Sequence, residues 1–146
     1  MPETVDLSAD DAEAVHALYQ QYGWWDDRTL VETERALANT PVAVGVRQGD
    51  ELVASARVVT DYTFYANVFD VIVAEDRRGE GDGEQLLRGV VEHPDLAAVN
   101  PTLLCREGLV AFYESCGFKA YPESVDVPEG GREDLHRLVY SRPDDD

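Results

Sequence analysis

The chain has 146 residues, 44% of them apolar, and a formal net charge of −18. That length supports one full hydrophobic core, so a single domain spanning 1–146 is expected, and so acidic a chain excludes nucleic-acid binding, which needs a basic phosphate-contacting patch. No apolar run approaches the length of a membrane span and the start MPETVDLSADD is acidic, unlike a secretory signal, so a cytoplasmic protein without a membrane partner is expected. In chain order, Val5 to Leu7 reads as a short strand and Ser8-Ala9-Asp10-Asp11 as a capping-box start. Val15, Leu18, Tyr19 and Tyr22 follow at helical spacing, closed by Gly23. Thr29-Leu30-Val31-Glu32 is a second capping box, opening a helix that ends near Asn39. Val42 to Arg47 and Leu52 to Thr60 read as strands of a hairpin around Gln48-Gly49-Asp50-Glu51. A strand over Val99 to Cys105, a helix around Tyr113, and strands over Phe118 to Tyr121 and Leu135 to Ser141 complete the chain.

The stretch with the clearest chemistry is VFDVIVAEDRRGEGDGEQLL, from Val68 to Leu87. A largely β-branched run ending at Val73 reads as a buried strand. Arg77 and Arg78 follow, then Gly79, Gly81 and Gly83 at alternate positions. The helix that opens near Gly83 carries Leu86, Leu87, Val90 and Val91. Such a turn lets successive backbone N–H groups converge on an anion, and the helix start adds free N–H groups and a positive dipole end. A phosphate or pyrophosphate is the expected ligand. Gly83 is followed by Glu84 and Gln85 rather than Lys-Ser/Thr, and the glycine spacing is not G-x-G-x-x-G, which excludes a Walker A loop and a dinucleotide fingerprint.

Arg78, Gly81 and Gly83 instead fill R-x-x-G-x-G, and this resembles the coenzyme A pyrophosphate loop of the GNAT superfamily of acyl-CoA-dependent N-acyltransferases. A second stretch, REGLVAFYESCGF from Arg106 to Phe118, resembles the family's later helix, with Phe112, Tyr113, Gly117 and Phe118 matching. Arg106 and Leu109 stand where Asn and Ala are usual. The resemblance implies an α+β GNAT fold: a mixed, mostly antiparallel twisted sheet of about six to seven strands, helices on both faces, and a splayed parallel strand pair in the middle. It implies acetyl-CoA as donor, bound by Val71, Ile72 and Val73 of the strand and by Arg77, Arg78, Gly79, Glu80, Gly81, Asp82, Gly83 and Glu84 of the loop. A backbone N–H near Val71 to Val73 would stabilise the thioester oxygen.

The implied reaction is direct transfer of an acetyl group to a primary amine of a small molecule or peptide. Tyr113 is the candidate acid for the leaving thiolate, since a phenol at pKa ~10 and a thiol at ~8.5 are nearly matched. The bland alternative makes it an amphipathic core residue. Asp70 is the candidate base, against a structural role, with Glu75 the other nearby carboxylate. Trp24, Trp25 and Tyr65 are candidate acceptor-binding aromatics, or loop packing. Arg57 is the better fit to an ion pair than to a contact with a substrate carboxylate. A non-catalytic acyl-CoA-binding sensor or partner subunit of the same fold is the rival function. The expected partners are acetyl-CoA and an amine, with a homodimer as the candidate assembly.

Three further readings concern what surrounds this site. His16, His93 and His136 have no metal-ligand neighbours, so no metal is expected. Cys105 and Cys116 form no C-x-x-C pair and read as buried thiols. With 30 acidic residues against 12 basic ones, and Lys119 the only lysine, the composition resembles that of proteins from salt-in halophiles. Glu80 and Asp82, unusual in a pyrophosphate loop, are expected to point into solvent and to repel the ligand in dilute buffer, less so at ~1 M salt, where the Debye length is ~3 Å.

Overall fold

A computed structural model describes residues 1–119, 124–126 and 128–134. It divides into two compact units, Met1–Arg106 and Glu107–Asp146.

The first unit is built on a five-stranded sheet in the order β1-β2-β3-β4-β5. These are β1 (Glu3–Asp6), β2 (Val42–Gln48), β3 (Glu51–Thr60), β4 (Ala66–Val73) and β5 (Thr102–Leu103). The first four pair antiparallel, and β4 and β5 pair parallel. The period-two alternation of the strands sends two sets of side chains to opposite faces. Val42, Val44, Val46, Ala56, Val58 and Val68 meet Leu86 and Val90 of helix α3 (Asp82–Val91) on one face. Ala43, Leu52 and Ile72 meet Val15, Leu18 and Tyr19 of α1 (Ala12–Tyr19) and Leu37 of α2 (Leu30–Ala38) on the other. Helices therefore cover both faces, as the fold class requires.

Both capping boxes form. Ser8 exchanges hydrogen bonds with Asp10 and Asp11, opening a 3-10 turn rather than α1 itself, and Thr29 with Glu32 starts α2. Gly89 is required by close approach: a Cβ there would lie 2.6 Å from Thr4 Cγ2 and 3.1 Å from Val44 Cγ1, so α3 could not sit as low on β1 and β2.

Register breaks in β4. Ser55 pairs with Ile72 and Arg57 with Phe69, so Ala56 alone faces Asp70 and Val71, which makes a β-bulge with Asp70 at φ 57°. The bulge reverses the alternation: Ala66 and Val68 face α3 before it, whereas Ile72 faces α1 after it. Beyond Asn67↔Thr102 and Val68↔Leu103, β4 continues for five residues without β5 beside it. That is the splay of the parallel pair, brought about by the shortness of β5, which occupies Thr102–Leu103 rather than the expected Val99 to Cys105.

The described sheet is smaller than the expected six to seven strands, and its parallel pair lies at the β5 edge, not in the middle. The second unit contains α4 (Val110–Ser115) and a separate antiparallel pair, β6 (Ser124–Asp126) with β7 (Arg132–Asp134). Phe118 and Lys119 are not in a strand. The rest of the strand expected over Phe118 to Tyr121, and the one over Leu135 to Ser141, fall outside the described residues, as does His136. The thiols also depart from expectation: Cys105 is exposed and Cys116 half-buried, because β5 ends before Cys105 and leaves it on an irregular segment.

Candidate functional site

The loop after β4 is shaped by its glycines. After a 3-10 turn over Glu75–Arg77, Arg78 is extended and Gly79 and Gly81 take φ 80° and 88°. That left-handed region disfavours any residue with a Cβ. A Cβ on either glycine would meet nothing within 4 Å, so conformation rather than crowding selects glycine here, and the space above the loop is open. Gly81 is the N-cap of α3 and no side chain caps the helix. The first intrahelical bond runs from Gln85 N–H to the Gly81 carbonyl at 3.1 Å, leaving the N–H groups of Asp82, Gly83 and Glu84 without helical acceptors. Open space, uncapped donors and a helix dipole together fit the phosphate end of an acyl-CoA.

The acidic residues of this loop are not as expected. Asp82 is buried, its side chain 1% exposed, and takes two bonds from Arg77, from Nε at 2.8 Å and Nη2 at 3.2 Å. Glu80 reaches the same guanidinium at 3.2 Å. Asp82 therefore does not point into solvent; it ties the strand side of the loop to the helix side. Hydrogen bonding to Asp82 raises the Arg77 guanidinium further above its already high value. Arg78 lies with its guanidinium carbon 4.8 Å from the Tyr22 ring centre and donates from Nε to the Tyr22 hydroxyl at 3.1 Å. That hydroxyl in turn donates to the Val73 carbonyl. Tyr22 thus links the motif arginine to the end of β4, a role that helical spacing alone does not signal.

Asp70 sits at the bulge, just ahead of Val71, Ile72 and Val73. Its carboxylate accepts from Arg28 (2.9 and 3.3 Å), from Arg57 (2.8 Å) and from the Tyr19 hydroxyl (3.4 Å). Burial pushes the Asp70 carboxyl up, but the bonds and charges of Arg28 and Arg57 outweigh it and hold it below its ordinary value. A carboxylate so stabilised is a weak base, which favours the structural role over the catalytic one. Burial, then the Asp70 charge, raises Tyr19. Arg57 also donates to Thr40 at 3.0 Å, and so is an ion-pair partner as the sequence suggested. Arg28 was not anticipated. Its guanidinium carbon lies 4.7 Å from the ring centres of both Tyr19 and Trp25, and Trp25 immediately preceding Asp26-Asp27-Arg28 was the available signal.

Of the acceptor-side aromatics, Trp25 is half-buried against Tyr19, while Trp24 is 60% and Tyr65 74% exposed. Trp24 packs on Tyr22 at 4.9 Å and on Trp25 at 6.1 Å. In the second unit, Tyr113 is buried, with Phe112 and Phe118 edge-on to its ring, and Gly117 ends the helix at φ 97°. Leu109, just before α4, is 45% exposed. His93 bonds Asp6 and His16 the Arg28 carbonyl, and no group of three metal-ligating side chains occurs among the described residues.

A family model described as an acetyltransferase (GNAT) domain matches residues 39–120, which include β4, the glycine loop, α3 and α4. The chain belongs to the GNAT family. Among curated proteins this GNAT chain is similar to histone acetyltransferase TAP1 of Glycine max, 30% identical over 130 residues that cover 79% of this chain and 54% of that one. It is also similar to an uncharacterized N-acetyltransferase, ycf52, of Pyropia yezoensis, 28% identical over 106 residues, 69% of this chain and 61% of that one. The GNAT chain spans about half to three-fifths of the length of these relatives. Among solved structures it resembles a putative GNAT-family acetyltransferase of Xanthomonas campestris, with 27% identity, TM-score 0.67, and 83% and 87% of the two chains covered. A GNAT-family acetyltransferase of Streptococcus pneumoniae, at 24% identity, TM-score 0.74 and 99% and 100% coverage, shares the fold.

Proposed function

We propose that residues 1–146 form one acetyl-CoA-dependent N-acetyltransferase domain acting on a primary amine. The observation that carries the reading is the loop itself: left-handed Gly79 and Gly81 leading into an uncapped helix, directly after a strand that has lost its parallel neighbour. The N–H groups of Asp82, Gly83 and Glu84 would hold the donor's pyrophosphate, and the gap beside Val71 to Val73 would take its extended arm. The donor supplies a thioester. As the neutral amine attacks the carbonyl, a strand N–H would hold the oxygen that gains charge. The carbon–sulfur bond would then break, the Tyr113 phenol would protonate the departing sulfur, and the proton lost from nitrogen would pass through water and restore the phenol. With Asp70 held by two arginines, a water chain suits the base role better than that carboxylate does.

The acidic surface supports work in concentrated salt in a cytoplasm of that kind. The test is release of free thiol from acetyl-CoA with a panel of amines in molar KCl. Tyr113→Phe keeps the ring and deletes the hydroxyl, and turnover should fall about 10²-fold at unchanged CoA affinity. Thiol release in the Phe variant equal to wild type would return Tyr113 to a packing role. CoA binding without thiol release with any amine would support the sensor reading instead.

A further inference from the structure

Charge is unevenly matched in the ion pairs of the described residues. Arg47 is balanced by Asp11, and Arg77 faces two carboxylates, Glu80 and Asp82. Around Asp70 the ratio is inverted, with two guanidiniums to one carboxylate, in a chain whose net charge is −18. The carboxylate is the inner member. Asp70's side chain is 9% exposed, against 32% for Arg28 and 20% for Arg57, so the accessible rim of the cluster is cationic.

The rim adjoins apolar surface on one face of the sheet. Ala56, Val58, Ala66 and Val68 turn toward α3, so Arg57 and Val59 of β3 and Phe69 of β4 turn the other way. Arg57 pairs across the strands with Phe69, and Phe69 and Val59 are 45% and 46% exposed. The cluster is anchored on the bulge that ends at Val71, where the acyl group would lie. The Arg28 guanidinium carbon lies 4.7 Å from the ring centres of both Tyr19 and Trp25, and both guanidiniums are tied to Asp70, so little side-chain freedom remains to be lost on binding.

We propose that Arg28 and Arg57 seat a carboxylate of the acceptor, so that the substrate is an aminocarboxylate whose apolar body lies against Phe69 and Val59. The two guanidiniums exceed the one Asp70 carboxylate by a single charge, which Glu32, its carboxyl held below the ordinary value by bonds from Thr29 and by the charge of Arg28, partly offsets, so a carboxylate is matched better than a phosphate dianion. Guanidiniums bind carboxylates through paired, charge-assisted hydrogen bonds. The inference deepens the acyl-transfer reading and rests on it for the position of the acyl group.

The experiment is calorimetric titration of the CoA-saturated protein with 3-phenylpropionate, 3-phenylpropionamide and 2-phenylethyl phosphate. The carboxylate should bind about 10–100-fold tighter than the amide, the range for hydrogen bonds to a charged group. Arg57→Gln should bring acid and amide within about threefold, and Arg28→Gln, at the more exposed rim, should do the same. Equal affinity of acid and amide in the wild-type protein would overturn the proposal, as would tighter binding of the phosphate. Thiol release with L-phenylalanine against phenethylamine is read separately. Carboxylate binding without turnover would count against acyl transfer and leave the anion site standing; turnover of phenethylamine as fast as L-phenylalanine would count against the anion site alone.

Discussion

At the scale of single residues, the Asp70 carboxylate is held by two arginines that are distant in the chain. Arg28 and Arg57 lie 42 and 13 residues away, and only the bulge, with Asp70 at φ 57°, turns its side chain toward them. Because the folded-state pKa is lowered, the cluster's stabilisation is present above the ordinary carboxylate value of ~3.9 and is lost as pH falls below it, through the depressed folded value. Asp70→Asn, which leaves two guanidiniums without their carboxylate, should cost about 2 kcal/mol at pH 7 and make unfolding less sensitive to acid below about pH 4. Urea titrations across that range check it. An unchanged acid slope would mean that Asp70 is not the titrating group.

At the scale of elements, the glycine loop was legible in type and position, because left-handed turns and helix starts have residue signatures. The loop's internal bracing was not. Glu80 and Asp82 read as acidic residues beside a pyrophosphate, yet both close onto Arg77, which a pattern of charges alone does not reveal. Asp82 bridges the 3-10 turn and the first turn of α3, so it holds the donors of that turn in place. Asp82→Ala removes a negative charge near the ligand, and simple repulsion would make CoA bind more tightly. The bracing predicts the opposite, about tenfold weaker binding with a lowered Tm, because the buried carboxylate that anchors Arg77 to the start of α3 is lost. Tighter binding would show that the loop keeps its shape without the clamp. The capping box at Thr29 was likewise legible, since its partners are three residues apart, whereas the early end of β5 depends on pairing with β4 and left no mark near Cys105.

At the scale of the molecule, the first unit carries the sheet, the helices on both its faces and the glycine loop; the strands and helices were anticipated from periodicity and glycine placement, and their layering from the family resemblance. The strand count was less legible, because β6 and β7 are three-residue pieces paired with each other across Gly130 and Gly131, in an acidic stretch without strand alternation. A charge of −18 implies strong self-repulsion, which salt screens as the Debye length falls from ~10 Å at 0.1 M to ~3 Å at 1 M. Thermal melts should show Tm rising between 0.1 and 2 M KCl; a flat profile would mean the carboxylates are too well spaced to repel.

Whether the turn between β4 and α3 holds the phosphates of coenzyme A is best decided at Gly81. Its φ of 88° is unfavourable to a β-branched residue, and the open space around it means that no protein atom opposes the new side chain. Calorimetric titration of coenzyme A into wild-type protein and Gly81→Val, each shown folded by circular dichroism, separates the outcomes. A fall in affinity of about 10²-fold or more, with Tm lower by only a few degrees, is the expected result. Unchanged affinity in a folded Gly81→Val protein would contradict the assignment of this loop.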